Sequence, residues 1–130
     1  LVTGVQTCAL PILSESDKVK SIVTSNIPAD GVYLQTKYRD LLNQEEAVSD
    51  NAGLMAIKFL SKYGVKKIFL AGFDGYSHDV RENYGNSEMA FITRNAVLDA
   101  MNIGMSKILR EYKKQIDIEF LTTPKFVSLG

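Results

Sequence analysis

The chain has one cysteine and one histidine among its 130 residues, and it has no tryptophan. The single cysteine, Cys8, cannot form an internal disulfide and has no partners at metal-ligand spacing. Fifteen basic residues balance fifteen acidic ones, so the charge predicts neither a nucleic-acid partner nor a membrane partner. No apolar run approaches the roughly 20 residues that span a bilayer. We therefore expect a cytoplasmic protein in a reducing setting, and no metal ligands can be assigned from the sequence.

Several catalytic motifs are missing as well. The sequence contains no G-x-G-x-x-G, G-x-x-x-x-G-K-[ST], H-E-x-x-H or G-x-S-x-G. These absences disfavour a dinucleotide-dependent oxidoreductase, a P-loop nucleotidase, a zinc protease and an α/β-hydrolase. The length fits one domain with a single core, and no motif indicates a cofactor.

Short apolar runs alternate with longer helical patterns along the chain. Strands are expected over residues 19–25, 66–71 and 116–122, with a further short strand over 32–34. The run KKIFLA at 66–71 suits a central parallel strand that is covered on both faces. This order predicts an α/β fold, a Rossmann-like three-layer sandwich with a mostly parallel sheet and right-handed crossovers.

Two long helices and one helical turn, over residues 36–42, are expected between these strands. Ser49, Asp50 and Asn51 predict the start of the first helix, because their side-chain oxygens can accept hydrogen bonds from unpaired backbone N–H groups. Gly64 is expected to end it in the left-handed conformation. The second helix is expected over about 95–115. Its inner stripe is predicted to consist of Val97, Met101, Met105, Ile108, Leu109, Tyr112 and Ile116.

Polar residues follow the predicted strands at 24–26, 72–76 and 122–123. In open parallel sheets, ligands bind beyond the carboxyl ends of the strands, where helix N-termini also converge. The sequence therefore predicts a site for a small polar ligand at this rim of the sheet. The candidate ligand-binding residues are Ser25, Asn51, Gly53, Gly72, Asp74, Tyr76, Asn83, Tyr84 and Thr122.

Asp74 and His78 are the candidate catalytic residues. Asp74 could bind a sugar hydroxyl or a divalent cation, or it could simply cap its own glycine-rich turn. His78 could act as a general acid or base, or it could be an idle, exposed side chain. Arg81 or Arg94 could bind a phosphate through a bidentate fork.

A helix start near Asp50 offers free N–H groups to an anion, but the Asp50 carboxylate would repel a phosphate. A ligand that carries hydroxyl or amide groups fits this position better. The alternative is a helix cap without a ligand.

The first twelve residues are interpreted separately from the rest of the chain. Residues 2–12, VTGVQTCALPI, resemble the conceptual translation of a sequencing adapter at eleven consecutive positions. We interpret residues 1–12 as a non-native segment, although a short native strand is the alternative. Residues 13–130 are then expected to form a partial Rossmann-like domain, truncated at its N-terminal side.

Two later segments resemble a known family. DNAGLMAIKFLSKYGVKKIFLAGFDGYS, from residue 50, and IDIEFLTTPKF are similar to the C-terminal domain of bacterial aldolase-like proteins. The similarity covers residues 18–129 and is strongest over 50–77. In that family the domain follows a barrel related to the HMG-CoA lyase and 4-hydroxy-2-oxovalerate aldolase group. The resemblance implies an accessory module joined to an N-terminal aldolase-like barrel.

The chain departs from the catalytic part of that family. It has no Asp-Arg-Glu motif and no H-x-H metal pair, so no aldolase activity is expected of it. The segment NAGLMAIKFLSKYGVKKIFLAGFD is also similar to the core of bacterial sialyltransferases and of hydroxymethylpterin-pyrophosphokinase-like proteins, which bind nucleotides or phosphate-bearing substrates. Sialyltransferases have Ser or Thr beside the helix glycine, where this chain has Asn51-Ala52-Gly53, and their basic histidine lies further downstream than His78.

Three functions remain open from the sequence. The first is an accessory module that binds a nucleotide, a nucleotide-sugar or a similar polar metabolite. The second is a transferase that acts on a nucleotide-activated donor, so whether the chain is an enzyme stays undecided. The third is a docking or dimerisation domain without a ligand. A sheet edge exposed by truncation would favour homo-oligomers.

Overall fold

A computed structural model of the protein describes residues 22–28, 34–83 and 93–130. Several predictions fall outside these ranges: the adapter-like segment with Cys8, the strand positions 19–21 and 32–33, and the candidate site residue Tyr84. The described strands and helices are, in chain order, β1 (Ile22–Thr24), β2 (Leu34–Thr36), α1 (Tyr38–Leu41), α2 (Ala52–Lys62), β3 (Lys67–Leu70), α3 (Asn95–Lys113) and β4 (Asp117–Phe120). Two 3-10 turns lie at Glu46–Val48 and Val80–Asn83.

The described strands pair in parallel. β1 pairs with β2, with Ile22 opposite Leu34, and β3 pairs with β4, with Lys67 opposite Asp117. Parallel neighbours need a crossover, which α3 supplies between β3 and β4. The α/β class and the parallel pairing are therefore confirmed. Within the described residues the strands form two separate two-stranded sheets, and the three-layer Rossmann-like sandwich stays a prediction.

The two faces of β3 differ in burial. Ile68 and Leu70 are buried, whereas Lys67 and Phe69 point to the other face, where Phe69 is 45% exposed. The Lys67 ammonium lies 5.1 Å from the centre of the Phe69 ring, and it also bridges to Asp117 and Glu119 of β4. The prediction that β3 is covered on both faces is wrong, because this lysine and its acidic partners occupy the outer face.

Both long helices pack against the inner face of β3 and β4. The main core cluster combines Leu54 and Ile57 of α2 with Met105 and Leu109 of α3 and with the inward residues of the two strands, among them Ile118. The opposite side of α2 forms a smaller cluster with α1, which contains Leu41, Met55 and Phe59. The helix α2 is heavily buried, because it has apolar neighbours on two sides.

The ends of α2 follow local capping chemistry. Asn51 is the N-cap, and its Oδ1 accepts a hydrogen bond from the Leu54 N–H at 3.1 Å. At the other end Gly64 has a φ of 80°. The N–H of Gly64 bonds the Ser61 carbonyl and the N–H of Val65 bonds the Leu60 carbonyl, which is the Schellman arrangement. Both predicted helix boundaries are confirmed.

The inner stripe of α3 begins one residue later than predicted. Leu98, Met105 and Leu109 are buried, whereas Val97 is 45% exposed. Successive residues of a helix are rotated by about 100°. A stripe that starts at Val97 therefore lies on the wrong face in the first turn of α3. From Met101 onward the predicted stripe packs on the core as expected.

The burial difference across β3 predicts different effects for two adjacent substitutions. Ile68→Ala removes a buried side chain from the main core and should lower the free energy of unfolding by about 2–5 kcal/mol. Phe69→Ala, on the exposed face, should cost about 1 kcal/mol or less. Urea denaturation of the two variants measures both values. Equal losses for Ile68→Ala and Phe69→Ala would contradict this assignment of the faces.

Candidate functional site

The carboxyl ends of β3 and β4 meet at one rim of the sheet. The N–H of Gly72 donates to the Thr122 Oγ1 at 2.8 Å, and the N–H of Leu121 donates to the Leu70 carbonyl at 2.8 Å. A third bond, from the Phe126 N–H to the Asp74 carbonyl at 2.8 Å, continues the connection past the strands. The structure thus brings the loop after β3 beside the segment after β4, and Gly72 and Thr122 are direct partners.

The start of α2 lies at the same rim. The Asn51 Nδ2 donates to the Tyr76 hydroxyl at 3.2 Å, while its Oδ1 caps the helix. One side-chain amide therefore caps α2 and also holds the ring of Tyr76 in the loop after β3. Both residues are partly buried.

Gly53 lies in the first turn of α2, where the Phe73 ring packs closely against it. A Cβ atom built on Gly53 would lie 2.5 Å from the Cε2 of Phe73. The ring of Phe73, which is buried, fills the space that a side chain would need. The predicted ligand-binding residue Gly53 is thus also a packing residue that allows the loop to approach the helix.

Asn102 of α3 holds the backbone of the loop. Its Oδ1 accepts from the Tyr76 N–H at 2.7 Å and its Nδ2 donates to the Tyr76 carbonyl at 2.8 Å. Gly75 has a φ of 87°, and a Cβ on it would lie 2.6 Å from the same Asn102 oxygen. The sequence does not predict this role for Asn102. A polar residue beside the buried stripe of a long helix is the only signal that could have indicated it.

Asn83 holds the backbone of Ser77, the next residue of the loop, through both atoms of its side-chain amide. Its Oδ1 accepts from the Ser77 N–H at 2.6 Å and its Nδ2 donates to the Ser77 carbonyl at 3.0 Å. The side-chain amide of this predicted ligand-binding residue is therefore engaged within the protein. The Asn83 side chain closes a compact turn that ends in the 3-10 turn Val80–Asn83.

Arg81 lies in that turn and is paired with Asp79. The guanidinium donates through Nε at 2.9 Å and through Nη2 at 2.7 Å to the two carboxylate oxygens of Asp79. These side-chain hydrogen bonds lower the pKa of Asp79 to about 2. The fork that was predicted for a phosphate is thus engaged by a carboxylate of the protein. Arg94 precedes α3 and makes no side-chain cap there.

His78 pairs with Asp99 in the first turns of α3. The imidazole Nε2 lies 2.7 Å from the Asp99 Oδ1, and both side chains are more than half exposed. This contact fixes the orientation of the imidazole and leaves Nδ1 without a partner among the described residues. Geometrically, the pair resembles a general base with an orienting carboxylate. The sequence predicts a role for His78 but not for Asp99, which lies 21 residues further along the chain.

Asp74 differs from the other polar residues of the rim. It is partly buried, and within the described part of the chain its carboxylate accepts no hydrogen bond. Gly72 and Gly75, on either side, have φ values of 68° and 87°. The alternative that Asp74 caps its own turn is therefore not observed, because only its backbone carbonyl is engaged.

Ser25 is connected to α1 instead of the loop after β3. Its hydroxyl accepts from the Tyr38 N–H at 3.0 Å, and the Tyr38 hydroxyl donates to the Asp50 Oδ2 at 3.4 Å. Among the described residues, Ser25 is thus linked to the start of α2 through Tyr38.

Among residues 22–28, 34–83 and 93–130, no group of three or more His, Cys, Asp or Glu could hold a metal ion. No helix in these ranges is long and apolar enough to cross a membrane.

No family model matches the sequence, and neither a curated protein nor a solved structure is significantly similar to it. The resemblance to aldolase-associated domains therefore stays a prediction.

The contact between Gly53 and Phe73 predicts an unusual response to alanine. Within a helix, Gly→Ala normally stabilises by about 1 kcal/mol. Here Gly53→Ala should instead lower the free energy of unfolding by about 1–3 kcal/mol, because the new methyl group overlaps the Phe73 ring. Urea denaturation measures the change.

A second variant tests the cause of that loss. In a Phe73→Leu background the ring is gone, so adding Gly53→Ala should cost clearly less than it does in the wild type. If Gly53→Ala stabilises the wild-type protein, the close packing of helix and loop is incorrect.

Proposed function

We propose that the protein binds a small polar metabolite, such as a nucleotide or a nucleotide-sugar, at the rim formed by the loop after β3, the segment after β4 and the starts of α2 and α3. The observation that carries this proposal is the Asp74 carboxylate. It is partly buried at the end of a parallel strand and accepts no hydrogen bond from the described residues. A ligand with hydroxyl or amino groups would supply the missing donors.

The surroundings of Asp74 support a binding role. The Tyr76 and Ser77 backbones are each held by a side-chain amide, from Asn102 and Asn83. The backbone of these two residues is therefore held in place before any ligand arrives, which lowers the entropy lost on binding. Hydrogen bonds to a charged group contribute about 1.5–3 kcal/mol each, so Asp74 would supply much of the affinity.

The resemblance to aldolase-associated domains adds a context to this proposal. The domain would act as an accessory module beside an N-terminal aldolase-like barrel. In this arrangement Asn51 and Tyr76 position the ligand at the start of α2, and Thr122 holds the backbone of Gly72 beneath it.

Isothermal titration calorimetry against adenosine, guanosine and cytidine nucleotides and nucleotide-sugars tests the proposal. We expect at least one of them to bind the wild type. Asp74→Asn should weaken that binding about tenfold or more, since the amide replaces a charged acceptor of nearly the same shape.

Asp117→Asn is the matched control for the change in net charge. Asp117 lies at the opposite end of β4 and is exposed, so its substitution should leave the affinity unchanged. If Asp74→Asn binds as tightly as the wild type, the site is not at Asp74. If no nucleotide or nucleotide-sugar binds, the docking or dimerisation role without a ligand is favoured.

A transferase is the second candidate, favoured by the 2.7 Å contact between His78 and Asp99. In this mechanism the unpaired Nδ1 of His78 would accept the proton of an acceptor hydroxyl. The hydroxyl oxygen would form a bond to the anomeric carbon of the donor sugar as the nucleoside phosphate leaves with the bonding electrons. Asp99 would orient the imidazole and stabilise its protonated form.

Single-turnover assays with nucleotide-activated sugars test this second candidate. His78→Gln should reduce transfer or donor hydrolysis by about 10²–10⁴-fold, the usual contribution of a general base. It should leave donor affinity nearly unchanged. Asp99→Asn should also slow the reaction and should alter its pH profile. Donor that remains intact after long incubation with the wild type would exclude the transferase for that donor.

A further inference from the structure

We infer that the ligand is recognised through the 2′,3′-hydroxyl groups of a ribose, which donate to Asp74, and that any phosphate it carries lies outside the contacts of the rim. This inference rests on the proposed function and specifies which part of the metabolite is bound. Three features carry it: the engaged backbone donors of the rim, the sign of its charge and the geometry around Asp74.

Five backbone N–H groups of the rim, which could otherwise bind a phosphate, are engaged by the protein's own side chains. The N–H groups of Gly72, Tyr76 and Ser77 donate to Thr122, Asn102 and Asn83 respectively. Two further donors are engaged in the same way, the Leu54 N–H by the Asn51 side chain and the Asp79 N–H by the Ser77 hydroxyl. Phosphate sites in proteins are built from such N–H groups when they point freely at the ligand. Side-chain oxygens occupy these five, so they cannot serve a phosphate here.

The charge of the rim also disfavours an anion. The segments 49–51, 72–83, 94–99 and 121–125 carry five carboxylates, Asp50, Asp74, Asp79, Glu82 and Asp99, and three permanent cations, Arg81, Arg94 and Lys125. Arg81 is already engaged by both oxygens of Asp79. A phosphate would therefore approach an excess of negative charge, whereas neutral hydroxyl groups would not be repelled.

The backbone around Asp74 is fixed and leaves its carboxylate available. The Asp74 carbonyl accepts from the Phe126 N–H at 2.8 Å, and the next residue, Gly75, fits closely against Asn102. A carboxylate has two oxygens that together can accept about four hydrogen bonds. Two neighbouring hydroxyl groups, as in the 2′,3′-diol of ribose, can donate to these two oxygens at the same time. An isolated hydroxyl group would engage only one oxygen.

Calorimetry with nine probes tests this inference: adenosine, guanosine and cytidine, their 5′-monophosphates and their 2′,3′-dideoxy analogues. For the base that binds, we expect the nucleoside to bind within about threefold of its monophosphate, because the phosphate adds no contact. The dideoxy analogue should bind about tenfold more weakly or worse, because it lacks both donors. Asp74→Asn should reduce this difference between the nucleoside and its dideoxy analogue to about threefold or less.

The outcomes separate this inference from the proposed function. A monophosphate that binds tenfold more tightly than its nucleoside would overturn the inference but would support nucleotide binding. A dideoxy analogue that binds as tightly as the nucleoside would overturn the role of the diol. If none of the nine probes binds while a nucleotide-sugar does, recognition through a ribose diol is overturned and the binding function stands. If nothing binds at all, both are overturned.

Discussion

The parallel pairing of β3 with β4 is the constraint on which the rest of the described structure depends. Parallel neighbours must be joined by a crossover, so the chain returns through α3 across one face of the strand pair. The inward side chains of both strands, Ile68, Leu70 and Ile118, then form one core with α2 and α3. The same pairing brings the carboxyl ends of the strands together. For this reason the loop after β3 lies beside the segment after β4.

Asparagine side chains order the rim that this pairing creates. Asn51, Asn83 and Asn102 each donate and accept one hydrogen bond, and in each case at least one partner belongs to the loop after β3. A primary amide is suited to this role because it offers a donor and an acceptor side by side, which matches the N–H and C=O of one residue. The described part of the loop contains no disulfide or metal cluster. The amides of Asn51 and Asn102 connect it to α2 and α3, and the amide of Asn83 closes the turn within the loop.

Features set by local chemistry could be predicted from the sequence, whereas features set by packing could not. The cap at Asn51 and the left-handed Gly64 follow from backbone groups within one turn of helix, and the structure has both. Asp74 and His78 were selected because polar residues after a buried strand reach the rim. The partners Asn102 and Asp99 were missed, because their roles depend on how α3 lies against the loop. Burial across β3 was also misjudged, since a continuous apolar run does not reveal whether a second layer covers its outer face.

The state of Asp74 is hard to explain by stability alone. Partial burial of a carboxylate costs free energy unless hydrogen bonds replace the lost water, yet no described residue supplies one. The backbone groups of Tyr76 and Ser77 are bonded by side-chain amides, so polar partners are not scarce in this part of the fold. A polar group that lacks the hydrogen bonds found at the surrounding residues, as the Asp74 carboxylate does, is typical of a functional position. A rim whose backbone is held by side-chain amides, and whose partly buried carboxylate accepts no hydrogen bond from the described residues, is preorganised for a ligand that brings the donors with it.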